Sequence, residues 1–142
     1  MDYSQVFHRI HTQLQAEKML QGKAAVTSAT IVRFETANNI MLPEAYKQWL
    51  QLCDGGDLYP PGGVQLYGVA HKPLIDLSDP DRPDDSYVVI GAMAWGDPLL
   101  YKKGSEEISI YNHDVGRIEP DETFNNFCAF LQALPQTLGI GG

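Results

Sequence analysis

The first half of the chain places apolar residues at the spacing of amphipathic helices. Over residues 3–21 the apolar side chains recur three or four positions apart, and Gly22 is expected to end this first helix. A second helix is expected over residues 28–39, where Thr27 or Ser28 offers the N-cap. The first 54 residues are therefore predicted to be largely helical.

A third, short helix is marked at both ends. Pro43 suits a first helical turn because it lacks the N–H that would have no partner there, and Glu44 places a carboxylate near the positive end of the helix dipole. The glycines of Asp54-Gly55-Gly56 are good helix terminators, since glycine adopts the left-handed conformation without a Cβ penalty. One apolar face is predicted from the spacing i, i+3, i+4 and i+7: Tyr46, Trp49, Leu50 and Cys53.

After Gly56 the pattern changes to alternation and short apolar runs. A strand of about five residues is predicted within 64–69, and the apolar run 87–91 is typical of a central strand covered on both faces. Further short strands are predicted by the same criteria, and together they indicate an antiparallel sheet: 99–101, 108–111 and 115–118.

The end of the chain returns to helical spacing. Asp121 or Thr123 is expected to cap a closing helix, Pro135 to end it, and residues 136–142 to form a loose tail. The predicted buried face of this helix consists of Phe124, Phe127, Cys128, Leu131 and Leu134.

The net charge of the chain indicates which kinds of molecule it can bind. The chain has 142 residues, which favours one domain, and a formal net charge of −8. Residues 1–50 carry five basic and four acidic side chains, residues 51–85 two and seven, and residues 86–142 three and seven. An acidic surface repels nucleic acids and anionic membranes and attracts basic proteins, although solubility explains such a charge equally well.

The chain shows no signal for secretion or for a membrane. Its N-terminus lacks an apolar signal segment, and no stretch approaches a membrane span of about 18 apolar residues. Free, buried thiols are therefore expected for Cys53 and Cys128, both on apolar helical faces. We expect an intracellular, cytoplasmic protein.

Residues 71–86 predict a long loop that contains three prolines. It carries five aspartates: Asp76, Asp79, Asp81, Asp84 and Asp85. Counted from Asp79, the sixth position is Asp84 and the twelfth is Ile90, where the helix–loop–helix calcium motif needs glycine and glutamate. A solvated acidic loop is favoured, an acidic binding patch comes second and a cation site last, so no metal is expected.

Recognisable catalytic motifs are missing from the sequence. It has neither the Gly-x-Ser-x-Gly nucleophile elbow nor a P-loop, and neither cysteine has an evident histidine partner. Asp97, His113 and Asp114 lie on predicted turns, and turn chemistry alone accounts for them. The alternative is a small-molecule or hydrolytic site formed with Trp95, which requires a deep pocket where the four side chains converge. No enzyme activity and no cofactor are expected.

Several short segments share their order and spacing with a known family. Phe34-Glu35, Leu42-Pro43-Glu44-Ala45-Tyr46 and Asp54-Gly55-Gly56 resemble the signature of the SUKH superfamily. That superfamily includes the Smi/Knr-type yeast cell-wall regulators and many bacterial toxin-immunity proteins. The run 87–91, Gly96-Asp97 and Phe124-x-x-Phe127 are similar to its middle strands, its Gly-Asp turn and its closing helix. The Pro/Gly-rich stretch and the acidic loop after Gly56 depart from its pattern.

The resemblance implies a fold and a class of function. The fold is α+β, with helices packed against a mixed, mostly antiparallel sheet of about four to six strands, in a single domain over 1–142 whose core spans about 25–134. The function is non-enzymatic binding of another protein, which in bacterial members is typically a toxin, often a nuclease. The alternative is a regulatory scaffold of the Smi/Knr type.

The charge pattern indicates where a partner would bind. Because nuclease sites are basic, an acidic inhibitor is steered towards them. We expect a monomer or a weak dimer that binds a basic toxin domain through charged side chains and two aromatic anchors: Asp54, Asp57, Asp76, Asp79, Asp81, Asp84 and Asp85, with Tyr59 and Tyr67.

Overall fold

A computed structural model describes residues 2–139 of the chain. Within that range the chain forms four helices: α1 (Ser4–Ala16), α2 (Ser28–Asn38), α3 (Glu44–Leu50) and α4 (Phe127–Thr137). It also forms seven strands: β1 (Leu20–Gln21), β2 (Gly56–Leu58), β3 (Val64–Leu66), β4 (Tyr87–Met93), β5 (Pro98–Lys102), β6 (Ile108–Asn112) and β7 (Arg117–Phe124).

The strands form one sheet in which each strand pairs with its neighbours in sequence. All six strand pairs are antiparallel, in the order β1 to β7. The α+β fold is confirmed, with seven strands where four to six were expected. β1 and β2 are only two and three residues long, too short for alternation to reveal them in the sequence.

The helices pack on one face of this sheet, called here the core face. Leu58, Val64 and Met93 occupy matching positions on β2, β3 and β4, and all three are buried. Aromatic rings pack the helices α1, α3 and α4 against one another. The ring of Tyr46 lies 4.7 Å from that of Phe127, edge to face, and that of Phe7 lies 5.9 Å from that of Trp49.

The opposite face of the sheet, called here the open face, is polar at one end and apolar at the other. The next positions in register on β2, β3 and β4 are Asp57, Gln65 and Ala92. Further along β4, however, the adjacent residues Val88 and Val89 are 0% and 2% exposed although they point to opposite faces. The prediction of a central strand covered on both faces is therefore confirmed.

The predicted first and second helices are both present. α2 matches its expected range, and the side chain of Thr27 caps it by accepting a hydrogen bond from the N–H of Thr30 at 3.2 Å. α1 ends at Ala16 and not at Gly22, because Lys18 takes a left-handed conformation and Leu20 then pairs with Leu58 in the sheet.

The region of α3 differs in one detail from its prediction. The buried face of α3 is present, but the helix ends at Leu50 and Pro43 occupies its N-cap position. Cys53 therefore lies in the loop after the helix, where it is buried and its thiol donates to the carbonyl of Gly55 at 3.2 Å. Both cysteines are free, as expected.

The closing helix begins later than predicted. Asp121, Thr123 and Phe124 belong to β7, and the cap is Asn126, whose side chain accepts from the N–H of Ala129 at 2.8 Å. β7 extends this far because residues 117–118 and 123–124 pair with β6 on either side of an irregularity in the register. The prediction that Pro135 ends this helix is wrong, since Pro135 lies inside α4 and the helix continues to Thr137. Residues 136 and 137 belong to that helix, and the rest of the predicted tail lies partly outside the described residues.

No helix in residues 2–139 is long and apolar enough to cross a membrane.

Candidate functional site

Asp54 was expected on the charged surface, but the structure buries it. It is 1% exposed. Its carboxylate accepts hydrogen bonds from the N–H groups of Val69, Ala70 and His71, at 2.9, 2.9 and 2.8 Å. The ring Nδ1 of His71 lies 2.9 Å from the same carboxylate. Asp54 thus fixes the start of the long loop, and this correction removes it from the candidate binding surface.

The acidic loop, residues 71–86, connects β3 to β4 as predicted and has one isolated backbone bridge, Gly68 with Leu74. Two of its aspartates are exposed and held by local hydrogen bonds. Asp76 accepts from the N–H of Ser78 at 2.9 Å and from its hydroxyl at 2.6 Å, and Asp84 accepts from the N–H and hydroxyl of Ser86. These serine hydrogen bonds hold the pKa of both carboxyls below the usual value, so both are ionised at neutral pH.

The single arginine of the acidic loop is turned towards the sheet. The side chain of Arg82 is 13% exposed and donates to the backbone carbonyl of Tyr87 at 2.9 Å. It also pairs with Asp85 at 3.1 Å, although the Asp85 side chain is 96% exposed. The charge of Arg82 therefore lies inward, while the side chains of Asp76, Asp84 and Asp85 are exposed. Asp79 and Asp81 are half-buried, and the loop also carries the exposed Lys72 near its start.

The two tyrosines proposed as anchors lie in different surroundings. Tyr67 is half-buried, and its pKa is raised by burial and by the nearby carboxylate of Asp79. Tyr59 has a left-handed backbone, its N–H donates to the carbonyl of Met19 at 2.8 Å, and its pKa is raised by burial and by Glu17. Tyr67 therefore belongs with the acidic loop, and Tyr59 lies beside β1.

The nine expected site residues consequently do not form one surface. One is internal, and two, Asp57 and Tyr59, lie on or beside β2. The remaining six form a group on and next to the acidic loop: Tyr67, Asp76, Asp79, Asp81, Asp84 and Asp85.

An apolar cleft of about 650 Å³ adjoins that group. Pro73, Leu74, Ile75 and Leu77 form its apolar lining, and its polar lining consists of Asn38, Lys72 and Asp76. Leu74 is 40% exposed there. The sequence offered no helical or strand periodicity by which this cleft could be predicted.

A second cleft lies on the open face of the sheet. It has a volume of about 520 Å³, and its lining includes Asp57, Gln21, Gln65 and Ala92. Only Asp57 among these was singled out from the sequence. The two glutamines belong to strands whose pairing brings them to either side of Asp57.

Trp95, Asp97, His113 and Asp114 do converge, but at the surface. The indole Nε1 of Trp95 donates to Asp97 at 3.0 Å, and the ring Nδ1 of His113 bonds the other oxygen of Asp97. The hydrogen bond to Asp97 raises the pKa of His113, and the charges of Asp114, Asp97 and Asp81 act in the same direction. Trp95 is 48% exposed and the Asp114 side chain 84%. This arrangement ties two hairpin turns together and does not form the deep pocket that a hydrolytic site needs.

One structural carboxylate was missed by the sequence reasoning. Glu106, in the loop between β5 and β6, accepts hydrogen bonds from the N–H groups of Glu44 and Ala45 at 2.8 and 3.2 Å. It thereby caps α3 from 62 residues away in sequence, so no local signal reveals it.

No group of three or more His, Cys, Asp or Glu side chains in residues 2–139 is placed to hold a metal ion. The surface of the described residues includes the acidic loop, an apolar cleft beside it and a polar cleft on the open face.

Comparison of the sequence with known families identifies the family of the chain. The model of the SMI1 / KNR4 family (SUKH-1) matches residues 25–133, and the chain belongs to that family. A search of curated proteins finds no match.

Proposed function

We propose that this chain is a non-enzymatic protein-binding domain, an immunity protein of the cytoplasm that neutralises a basic toxin domain through its acidic loop. One observation carries the proposal, which is the orientation of charge in that loop. Arg82 is turned towards the sheet, whereas three of the five aspartates in the same ten-residue segment, residues 76–85, are exposed and the other two are half-buried.

The electrostatics of the loop favour a cationic partner. Asp76 and Asp84 are ionised at neutral pH, and serine hydrogen bonds lower their pKa further, so both carry a full negative charge. A concentrated negative field speeds the encounter with a basic surface and disfavours nucleic acid. A nuclease domain, whose own active site attracts phosphate, presents a surface of the matching sign.

The apolar cleft beside the loop supports a protein partner over a small cation. Stable protein interfaces combine an apolar centre with a polar rim. Leu74 and Leu77 line the cleft, Asp76 stands at its edge, and Tyr67 lies near Asp79. An apolar side chain of the toxin would bury itself here while its basic residues meet the carboxylates.

The alternative within the same family is a regulatory scaffold of the Smi/Knr type. It too would act through protein contacts, but with no toxin. The two proposals differ in genetic context. A neighbouring reading frame that encodes a large toxin with a variable C-terminal domain favours the immunity proposal.

The test measures association of the chain with the toxin domain from that neighbouring frame. Replacing four loop aspartates by asparagine removes charge while an amide oxygen can still accept the local hydrogen bonds: Asp76→Asn, Asp79→Asn, Asp84→Asn and Asp85→Asn. We expect association to slow by at least about tenfold at low salt, and the difference to shrink at high salt.

A control variant removes the same number of charges elsewhere. It carries four substitutions outside the acidic loop: Glu17→Gln, Glu107→Gln, Asp114→Asn and Asp121→Asn. Its association rate should stay within about threefold of the unmodified chain. Equal slowing in both variants would show that overall charge, and not the loop, guides the partner. If the unmodified chain neither binds the toxin domain nor protects cells that express it, the immunity function is wrong.

A further inference from the structure

Three polar side chains stand side by side on the open face of the sheet. Gln21 on β1 is in register with Asp57 on β2, which is in register with Gln65 on β3. Neighbouring strands lie about 4.8 Å apart, so the row spans roughly 10 Å, the length of about three extended residues. All three residues line the 520 Å³ cleft. They also border a smaller cleft of about 170 Å³, whose lining includes Lys23 and Lys72, but neither lysine forms an ion pair with Asp57 within residues 2–139.

None of these three side chains makes a hydrogen bond or ion pair within residues 2–139. Most other acidic side chains described above are engaged: Asp54 holds a loop, Asp97 joins two turns and Glu106 caps a helix. Asp57 is half-buried between two glutamines and keeps its acceptors free. Its charge is therefore available to a ligand.

The cleft has the shape for a ligand of limited width. Ala92 continues the register beyond Gln65, and its small side chain leaves space above the sheet. Pro60 and Pro61 line one part of the cleft, and Ala94 lines another. Its volume falls within the range of about 300–1,000 Å³ that is usual for ligand sites.

We propose that this cleft binds an extended segment of the partner protein, with an arginine of that segment paired to Asp57 and its backbone amides bonded to Gln21 and Gln65. A glutamine amide both donates and accepts, and so matches a peptide N–H and C=O. A guanidinium suits a single free carboxylate because it forms two parallel hydrogen bonds to it. The inference rests on the proposed function only for the basic character of the partner.

The test uses a defined probe, the capped pentapeptide acetyl-Gly-Ala-Arg-Ala-Gly-amide, titrated into the ¹⁵N-labelled chain. We expect saturable shifts of the backbone or side-chain amide signals of residues 21, 57, 65 and 92. A peptide with citrulline in place of arginine has the same shape without the charge. It should bind at least about tenfold more weakly, because citrulline cannot form the charge-assisted hydrogen bonds to Asp57.

Two variants of equal net charge test whether the arginine of the peptide binds at Asp57. Asp57→Asn should weaken binding of the arginine peptide by at least about tenfold, whereas Asp121→Asn, on the far edge strand β7, should change it by less than about twofold. Gln65→Ala should weaken both peptides by a few fold, since the amide contacts the backbone and not the charge. The amide spectrum of each variant verifies that it is folded.

The proposal is overturned if the arginine peptide causes no saturable shifts at millimolar concentration, or if both aspartate variants weaken it equally. Neither result depends on a toxin. Failure of the loop variants to alter toxin binding would contradict the proposed function and leave the peptide result in place.

Discussion

The carboxylate of Asp54 and the imidazole of His71 lie 2.9 Å apart, and the same carboxylate oxygen accepts the backbone N–H of His71 at 2.8 Å. A residue that follows α3 thus anchors the start of the acidic loop 17 residues later. The Asp54-Gly55-Gly56 segment, which the sequence indicated as a helix terminator, therefore also holds the start of the acidic loop in place.

Replacing Asp54 by alanine should destabilise the fold by about 3–5 kcal/mol, because three backbone N–H groups lose a buried, charged acceptor. Urea unfolding followed by far-UV circular dichroism measures the loss. Asp57→Ala, three positions on, removes a carboxylate without a partner and should cost less than about 0.5 kcal/mol. Similar losses at both positions would contradict the anchoring role.

The cap that Glu106 provides for α3 should be measurable in the same way. Glu106→Ala leaves the N–H groups of Glu44 and Ala45 without this acceptor and should cost about 1 kcal/mol. Glu107→Ala, the adjacent residue, serves as the control and should cost a few tenths at most. If the two variants unfold at the same urea concentration, the capping bond contributes nothing to stability.

Gly55 should tolerate no side chain. Its φ is +92°, and a Cβ there would lie 2.5 Å from the backbone oxygen of Leu66. Gly55→Ala should therefore lower the unfolding free energy by more than about 1 kcal/mol. Gly62 has open space around it and no positive φ, so Gly62→Ala should be neutral or slightly stabilising. A thermal melt of each variant distinguishes these outcomes.

Two buried tyrosines offer a matched comparison of a satisfied and an unsatisfied hydroxyl. The hydroxyl of Tyr101 is buried and has no partner within the described residues, whereas that of Tyr46 donates to the backbone carbonyl of Tyr67. Tyr101→Phe should be neutral or stabilise the fold by up to about 1 kcal/mol, and Tyr46→Phe should destabilise it by about 1–2 kcal/mol. The denaturant midpoints of the two variants show which one is less stable. A larger loss of stability for Tyr101→Phe than for Tyr46→Phe would contradict the assignment of the satisfied and the unsatisfied hydroxyl.

His113 should make stability depend on pH. The hydrogen bond to Asp97 raises its pKa in the folded state above the ordinary value of 6.5. The protonated ring therefore stabilises the fold fully below that ordinary value, and the contribution is lost as pH rises through the folded-state pKa. His113→Gln should lower stability more at pH 5.5 than at pH 8.5.

Proton NMR provides an independent measurement of the same effect. The ring signal of His113 should titrate above 6.5, whereas that of His11, which packs against Trp49 and whose pKa is lowered by burial and by His8, should titrate below it. In an Asp97→Asn background the effect of His113→Gln should vary less with pH, although Asp114 and Asp81 still raise the pKa of His113. An undiminished variation there would contradict the role of the Asp97 hydrogen bond.

Elements with a clear local signal were predictable from the sequence. α2 was placed to within one residue and β4 to within two, because a capping residue marks the start of α2 and a continuous apolar run marks β4. The errors fall at β1, β2 and the start of α4. There the chain follows strand pairing with a distant segment, as when Leu20 pairs with Leu58, and local preference does not report such pairing.

The candidate sites also divide into features that were predictable from the sequence and features that depend on contacts between distant residues. The acidic loop and its charge were predictable because they depend on composition alone, and the exposure of Asp76, Asp84 and Asp85 agrees with that prediction. The open-face cleft was not predictable, since Gln21 and Gln65 become neighbours of Asp57 only through the sheet register. Burial of Asp54 and capping by Glu106 likewise depend on contacts between distant residues.

By itself, then, the sequence determined the order of helices and strands, the concentration of negative charge in one loop, and the spacing of apolar and glycine residues that is shared with the family. The tertiary structure decided which carboxylates are structural and which are free. The physical reason is that the environment of a carboxylate depends on donors brought to it by packing, and those of Asp54 and Glu106 come from residues 15 to 62 positions away.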